Sequence, residues 1–226
     1  MATGMWIFFK ILLLILAVPA LAGYGLALYS SISSALDHSS HARLGLAMVP
    51  AGMLLWLLLG RFLRFFHVFE HEVTHLVTGL IFFIQPRQLV ASESGGRMEM
   101  YGNNFIVSLA PYFVPLLSLV LMVLMPLLDS TVNVYACGLL GLATGYHFIT
   151  NLQEFSLQQP DIRSHGLVFS TLICLLGNVV ALGAIAGFLQ QSWPGSWGYL
   201  KGGGRETAAI IEFIVTQLPQ RIAGLL

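Results

Sequence analysis

Long apolar runs recur along almost the whole chain, and they limit its fold more than any other feature. Hydrophobic residues make up 57% of the 226 positions and charged residues only 9%. A membrane-spanning helix needs about 20 consecutive, predominantly apolar residues. This rule predicts six spans, near residues 6–29, 43–60, 62–84, 105–128, 131–151 and 166–190. We therefore expect an all-α, multi-pass membrane protein.

The two ends of the chain have their own signals. Small residues at 17–23 resemble a signal-peptide cleavage site, but Lys10 lies inside the apolar run and the run continues beyond the site. A retained anchor helix is therefore predicted. Residues 191–205 combine Trp, Tyr, Gly and Pro, which is typical of a membrane–water interface. The next segment, 206–218, is too short to span and predicts an interfacial amphipathic helix.

These signals predict one membrane domain over residues 1–226. It would comprise N-terminal helices over 1–60, a core over 62–190 and the interfacial segment 191–226. The 10 basic and 10 acidic residues balance and are spread singly, which excludes a nucleic-acid-binding surface. The distribution of Lys and Arg favours cytoplasmic termini. We expect a protein embedded in the lipid bilayer of a bacterial inner (plasma) membrane.

The third predicted span contains FEHEVTHLVTG, at residues 69–79. At about 100° per residue, its polar side chains fall on one side of the helix, while Leu80 and Ile81 point elsewhere. This polar stripe consists of Arg64, His67, His71, Thr74, His75 and Thr78. Ionisable residues inside a membrane are costly and usually functional. The polar stripe therefore indicates a hydrated site enclosed by protein.

The H-E-x-x-H spacing within this segment predicts a metal site. His71 and His75 are one helical turn apart, so both imidazoles can bind one ion. Glu72 lies about 100° around the helix, where it can reach a metal-bound water and act as a general base. His67 could support His71, although a simple hydrogen bond between helices explains it better. The ligand types favour Zn²⁺.

A catalytic zinc site needs a third protein ligand and an open position. Asp161 is the first candidate, because it follows Pro160 at the start of the last apolar span. To reach the histidines, residues 158–164 must dip into the protein as irregular backbone. The other candidates are His147, Glu154, His165, Glu93 and Glu99. His147 and Asn151 share one helical face with Glu154, and they either support the site or join helices.

The segment before the fourth span predicts a small β-hairpin. Two short runs flank Gly95 and Gly96, which suggests a glycine turn. Such an edge could pair with an unwound substrate strand, although an ordinary exposed loop fits the same pattern. Asn103 and Asn104 would bind substrate backbone or cap the next helix. The prolines that follow predict a kinked helix over 105–128.

H-E-x-x-H inside a membrane helix, with Asn-Leu and then an Asp that opens another apolar helix, resembles the site-2 protease family of intramembrane zinc metalloproteases. The resemblance implies a three-helix catalytic core with His71, His75 and Asp161 as zinc ligands and Glu72 as the catalytic glutamate. It also implies a membrane protein substrate and a regulatory membrane partner. Residues 159–162 read QPDI, whereas the family shows Leu-Asp-Gly there.

The sequence thus predicts an intramembrane zinc endopeptidase that cleaves a membrane-embedded or membrane-adjacent protein. Two other functions fit the same residues. Another type of membrane zinc hydrolase would take its third ligand from Glu154, Glu93 or Glu99. A non-enzymatic transporter or channel would use the polar stripe for ions or protons.

Overall fold

The structure is a computed structural model that describes residues 2–223. Its helices and strands are α1 (Ala2–His38), α2 (Ser40–Leu59), α3 (Arg64–Ile81), β1 (Pro86–Ser92), β2 (Gly95–Met100), α4 (Phe105–Leu109), α5 (Leu116–Leu124), α6 (Ser130–Glu154), α7 (Pro160–His165), α8 (Leu167–Glu212) and α9 (Leu218–Ala223). The chain forms two compact units. The first unit consists of Met1–Ser39 with Thr171–Leu226, and the second unit consists of Ser40–Ser170.

Four of the described helices are long and apolar enough to cross a membrane. They cover Met5–Asp37, Ser40–Phe62, Thr131–Glu154 and Leu167–Arg221. The bent pair Phe105–Tyr112 and Leu116–Leu127 would make a fifth span. This pattern fits a multi-pass membrane protein, but the predicted six spans are not confirmed. Helix α3 corresponds to the predicted third span. It is not among the helices that are apolar enough to cross, because Arg64, Glu70 and Glu72 make it too polar.

The kink predicted for the fourth span is confirmed. Its two helical parts meet at an angle of 81°. Pro111 lies in the 3₁₀ turn Ala110–Tyr112, and Pro115 directly precedes α5. Proline lacks an N–H and clashes with the preceding helical turn. The bend therefore lies where the sequence places the prolines.

Glycines allow α2 and α6 to approach closely within the second unit. A Cβ at Gly141 would collide with the carbonyl oxygen of Gly45, and a Cβ at Gly145 would collide with that of Val49. Small residues at such positions let helix backbones come into contact. The two α6 glycines therefore lie where the backbones of α2 and α6 approach most closely.

The predicted hairpin is also confirmed, with a different turn. β1 and β2 pair in antiparallel fashion, and Ser92 lies opposite Gly95. The turn itself is Glu93-Ser94, whereas Gly95 and Gly96 begin β2. Gly95 has φ of +148°, a backbone conformation that favours glycine. The glycine therefore follows the turn instead of forming it.

The long helix α8 contains a sharp reversal. Gln191 and Ser192 have non-helical backbone angles, and φ of Ser192 is +55°. Beyond the reversal, the chain runs back along the first half of α8. The hydroxyl of Ser196 donates to the carbonyl of Ala184 at 2.8 Å.

A second contact fixes the direction of the returning helix. The Tyr199 hydroxyl donates to the carbonyl of Val179 at 2.9 Å. As the residue number rises from Ser196 to Tyr199 after the reversal, the contacted residue falls from Ala184 to Val179. The two parts of α8 therefore form an antiparallel helical hairpin. The short interfacial helix predicted over 206–218 is wrong in extent, because the helical backbone that starts after the reversal continues through the π-helical turn Phe213–Gln217 into α9.

Candidate metal centre

Helix α3 turns its polar stripe toward the protein, as the helical projection predicts. The buried members of the stripe are His67, Thr74, His75 and Thr78. On the opposite side, Leu80 and Ile81 are exposed at 52% and 67%. Arg64, at the first position of the helix, is exposed. Apart from Arg64, the ionisable side chains of α3 therefore lie where protein, and not lipid, can surround them.

His71, His75 and Asp161 converge in the second unit. Each offers one ligand atom, and these atoms lie within 4.8 Å of one another. His75 Nε2 is 3.5 Å from a carboxylate oxygen of Asp161. The segment that brings Asp161 there is the short helix α7, with Pro160 in its first turn, whereas irregular backbone was predicted. The three residues could hold a metal ion.

The orientation of His75 is fixed from its outer side. Nδ1 of His75 donates to the carbonyl oxygen of Val107 at 2.8 Å, because a carbonyl can only accept. Val107 belongs to α4, whose first turn is capped by the side chain of Asn104 at 2.9 Å from the Val107 nitrogen. Asn104 thus caps a helix, one of its two predicted roles.

His71 has a carboxylate on its outer side. Glu154 Oε2 lies 3.3 Å from His71 Nδ1, and Glu154 Oε1 lies 2.8 Å from His67 Nε2. The ring of His71 also meets the edge of Tyr112, with 5.4 Å between centroids. Glu154, at the end of α6, contacts both histidines but is not one of the three converging residues.

Glu72 is buried beside the histidines and under the hairpin. Only 7% of it is exposed. Its carboxylate accepts a hydrogen bond from the backbone N–H of Met98 and interacts electrostatically with His71, His75 and Asp161. Glu72 therefore belongs to the same cluster of charges as the converging residues.

A cavity of about 460 Å³ opens onto this cluster. Its lining includes His71, Glu72, His75, Asp161, Gly96, Met98, Met100 and Asn103. Asn103 also donates to the Ser108 hydroxyl at 2.7 Å, so this side chain is held in place. Of the residues proposed to bind substrate, Gly96 and Asn103 line the cavity, while Gly95 closes the hairpin turn.

Asn151 links α6 to the turn that contains Tyr112, one of its two predicted roles, and His147 contacts Asn151 from the same helix. The side-chain nitrogen of Asn151 lies 2.9 Å from His147 Nε2 and donates to the carbonyl of Tyr112 at 2.9 Å. Through Tyr112 they reach the ring of His71 indirectly. Neither belongs to the three converging residues.

The remaining candidates for the third ligand lie elsewhere. Glu99 forms an ion pair with Arg97 at 2.7 Å, and Glu93 is in the hairpin turn. His165 lies on α7 with its ring 6.3 Å from that of Phe169. None of the three belongs to the converging group.

Sequence reasoning missed Tyr146 and the backbone of Met98. The Tyr146 hydroxyl lies 3.0 Å from His67 Nδ1 and donates to Glu70 at 3.4 Å. The hydroxyl of a tyrosine within an apolar helix needs a hydrogen-bond partner. This requirement was the sequence signal that could have identified Tyr146. A backbone N–H carries no such signal in the sequence.

The likeness to the site-2 protease family rests on short motifs only. Comparison of the chain with family models, with curated proteins and with solved structures gives no match. A function must therefore be argued from the geometry of the site.

Proposed function

We propose that the protein is an intramembrane zinc metalloprotease of a bacterial plasma membrane. Its substrate would be a membrane-embedded or membrane-adjacent protein. The observation that carries the proposal is the convergence of His71, His75 and Asp161 beside Glu72 on one cavity. Two imidazoles and one carboxylate are a common protein ligand set of catalytic zinc. The four apolar helices support the membrane setting.

The charges of the site favour a bound dication. Glu72 and Asp161 repel each other within one cluster, and a cation between two carboxylates offsets such repulsion. The outer contacts of His71 and His75 engage Nδ1, which leaves Nε2 as the inward nitrogen of each ring. Zinc bound here would supply Lewis acidity that polarises a peptide carbonyl and activates water.

Glu72 is placed to move the proton of the reaction. Its carboxylate would take a proton from the attacking water and return it to the nitrogen of the leaving amine. Burial and the Met98 hydrogen bond hold this carboxylate in one orientation. A fixed base avoids reorganisation during the reaction.

The unpaired edge of β2 faces the base. The Met98 N–H donates to the Glu72 carboxylate, and Gly96 lies against the same side chain, so β2 runs beside the proposed base. A helical substrate hides its peptide bonds, whereas an extended strand can pair with a free edge. We propose that the substrate unwinds and lies along β2, with Asn103 at the cavity wall.

Metal analysis combined with a cleavage assay tests the proposal. Purified full-length wild type, Glu72→Gln and Asp161→Ala would be compared by elemental analysis and by cleavage of labelled casein and labelled single-span peptides in bilayers. We expect about one zinc per chain in wild type and Glu72→Gln. We expect zinc loss in Asp161→Ala and cleavage only by wild type.

Three results would count against the protease. Wild type could contain no zinc, or it could bind zinc and cleave neither probe. Full cleavage by Glu72→Gln would remove the general base from the mechanism.

A further inference from the structure

A set of polar side chains continues from His71 away from the cavity. Glu154 lies 3.3 Å from His71 and 2.8 Å from His67. His67 lies 3.0 Å from the Tyr146 hydroxyl, which donates to Glu70. Among the described residues that line the cavity, only His71 belongs to this set. We call these five residues the Glu154 network.

We propose that Glu154 is a positioning residue that fixes the imidazole of His71 for metal binding. The inference rests on the proposed metal centre. When Nδ1 of His71 donates its proton to the carboxylate, the lone pair remains on Nε2. A carboxylate behind a histidine ligand fixes both its tautomer and the orientation of its ring.

The carboxylate of Glu154 is itself held at both oxygens. Oε2 meets His71 and Oε1 meets His67, two rings that stand one helical turn apart on α3. His67 is held in turn by the Tyr146 hydroxyl and by the edge of Trp56, at 5.3 Å between ring centroids. Because each member has a partner, the Glu154 side chain has little freedom to swing away.

Glu154 and Asp161 therefore differ in role. Asp161 lies near the inward nitrogen of His75, whereas Glu154 lies at the outer nitrogen of His71. His75 has a neutral carbonyl in the equivalent outer position. A charged partner makes a histidine ligand more basic than a neutral one does. His71 should consequently depend more on its outer partner.

Zinc affinity of the full-length protein tests this role. Wild type, Glu154→Ala and Glu154→Gln would be compared by competition with a chromogenic chelator, and the Co²⁺-loaded forms by visible absorption. Asp129→Asn is the matched control, because Asp129 caps the other end of α6 and Asn preserves that cap. Thermal unfolding without metal would check the fold of each variant.

We expect Glu154→Ala to weaken zinc binding by about 10- to 100-fold and to shift the Co²⁺ spectrum. Stoichiometry at saturating zinc should stay unchanged, since the three ligands remain. Glu154→Gln keeps an acceptor oxygen and should fall between wild type and Glu154→Ala. His67→Ala should weaken binding in wild type but have little further effect in Glu154→Ala.

Wild-type affinity and spectrum in Glu154→Ala and Glu154→Gln would overturn the proposal. Loss of the metal in Glu154→Ala with retention in Asp161→Ala would make Glu154 a ligand instead. A wild type that binds zinc, weakens with Glu154→Ala and cleaves nothing would leave the positioning role intact and reject only the protease. A wild type without zinc affinity would reject both.

Discussion

Gly96 of β2 lies directly against the side chain of Glu72. A Cβ at Gly96 would stand 2.6 Å from Cγ and Oε1 of Glu72, closer than real Cβ contacts occur. Met98, two residues along β2, donates its N–H to the same carboxylate. The hairpin therefore helps to determine where the proposed base lies, although Glu72 belongs to α3.

Gly96→Ala should displace the Glu72 carboxylate without removing the metal. A displacement of about 1 Å can lower a rate by about a hundredfold. We expect kcat to fall by that order while zinc content stays at the wild-type level, because Gly96 is not a ligand. Steady-state kinetics and elemental analysis of the same preparation measure both quantities.

The control is Gly204→Ala, in the other unit. A Cβ there meets nothing within 4 Å, so kcat should match wild type. Equal kcat values in Gly96→Ala and wild type would show that β2 does not position Glu72.

Asn104→Ala should weaken the support of His75. Loss of an N-cap costs about 1 kcal/mol, and α4 is only five residues long. Since α4 presents the Val107 carbonyl to His75, we expect lower thermal stability and lower zinc affinity. Asn104→Asp keeps the cap and should resemble wild type. If Asn104→Ala lost stability but kept its zinc affinity, α4 would not support the site.

Local patterns were enough to predict much of α3. The spacing of His71 and His75 sets one helical face, and the structure buries His75 on that face. Pro160 marks the start of a helix, and Asp161 follows it in α7. Both features depend on backbone geometry over a few residues, which the sequence encodes directly.

Contacts between distant segments could not be predicted in the same way. Glu154 contacts His71 only because α6 packs in one register against its neighbours. No local sequence pattern specifies that register. The hairpin turn was misplaced because a Gly-Gly pair is a stronger turn signal than Glu93-Ser94. The reversal at Ser192 uses a positive φ at a residue that gives no such signal.

Gly141→Ala should disrupt the contact between α2 and α6. The added methyl group would meet the carbonyl oxygen of Gly45, which cannot move without its helix. Overpacking of this kind costs about 1–3 kcal/mol. We expect a lower unfolding temperature in detergent and a weaker metal site, because α6 carries Glu154.

Gly138→Ala provides the matched control on α6. Its Cβ would lie 3.8 Å from the nearest atom, on the Met48 side chain, which is ordinary contact. Alanine favours a helix over glycine by up to about 1 kcal/mol, so stability should be unchanged or higher. Equal loss in both variants would attribute the effect to the helix itself and not to its packing.

The reversal in α8 predicts that the C-terminal helix crosses the membrane. From residue 193 to residue 217 the helix is about 37 Å long at 1.5 Å per residue, enough for a hydrocarbon core of about 30 Å. In a variant with Cys137 and Cys174 replaced by Ser, Gln191→Cys and Gln217→Cys should react with an impermeant maleimide from opposite sides of intact cells and inverted vesicles. An interfacial helix would place both cysteines on the same side, and that result would contradict the crossing.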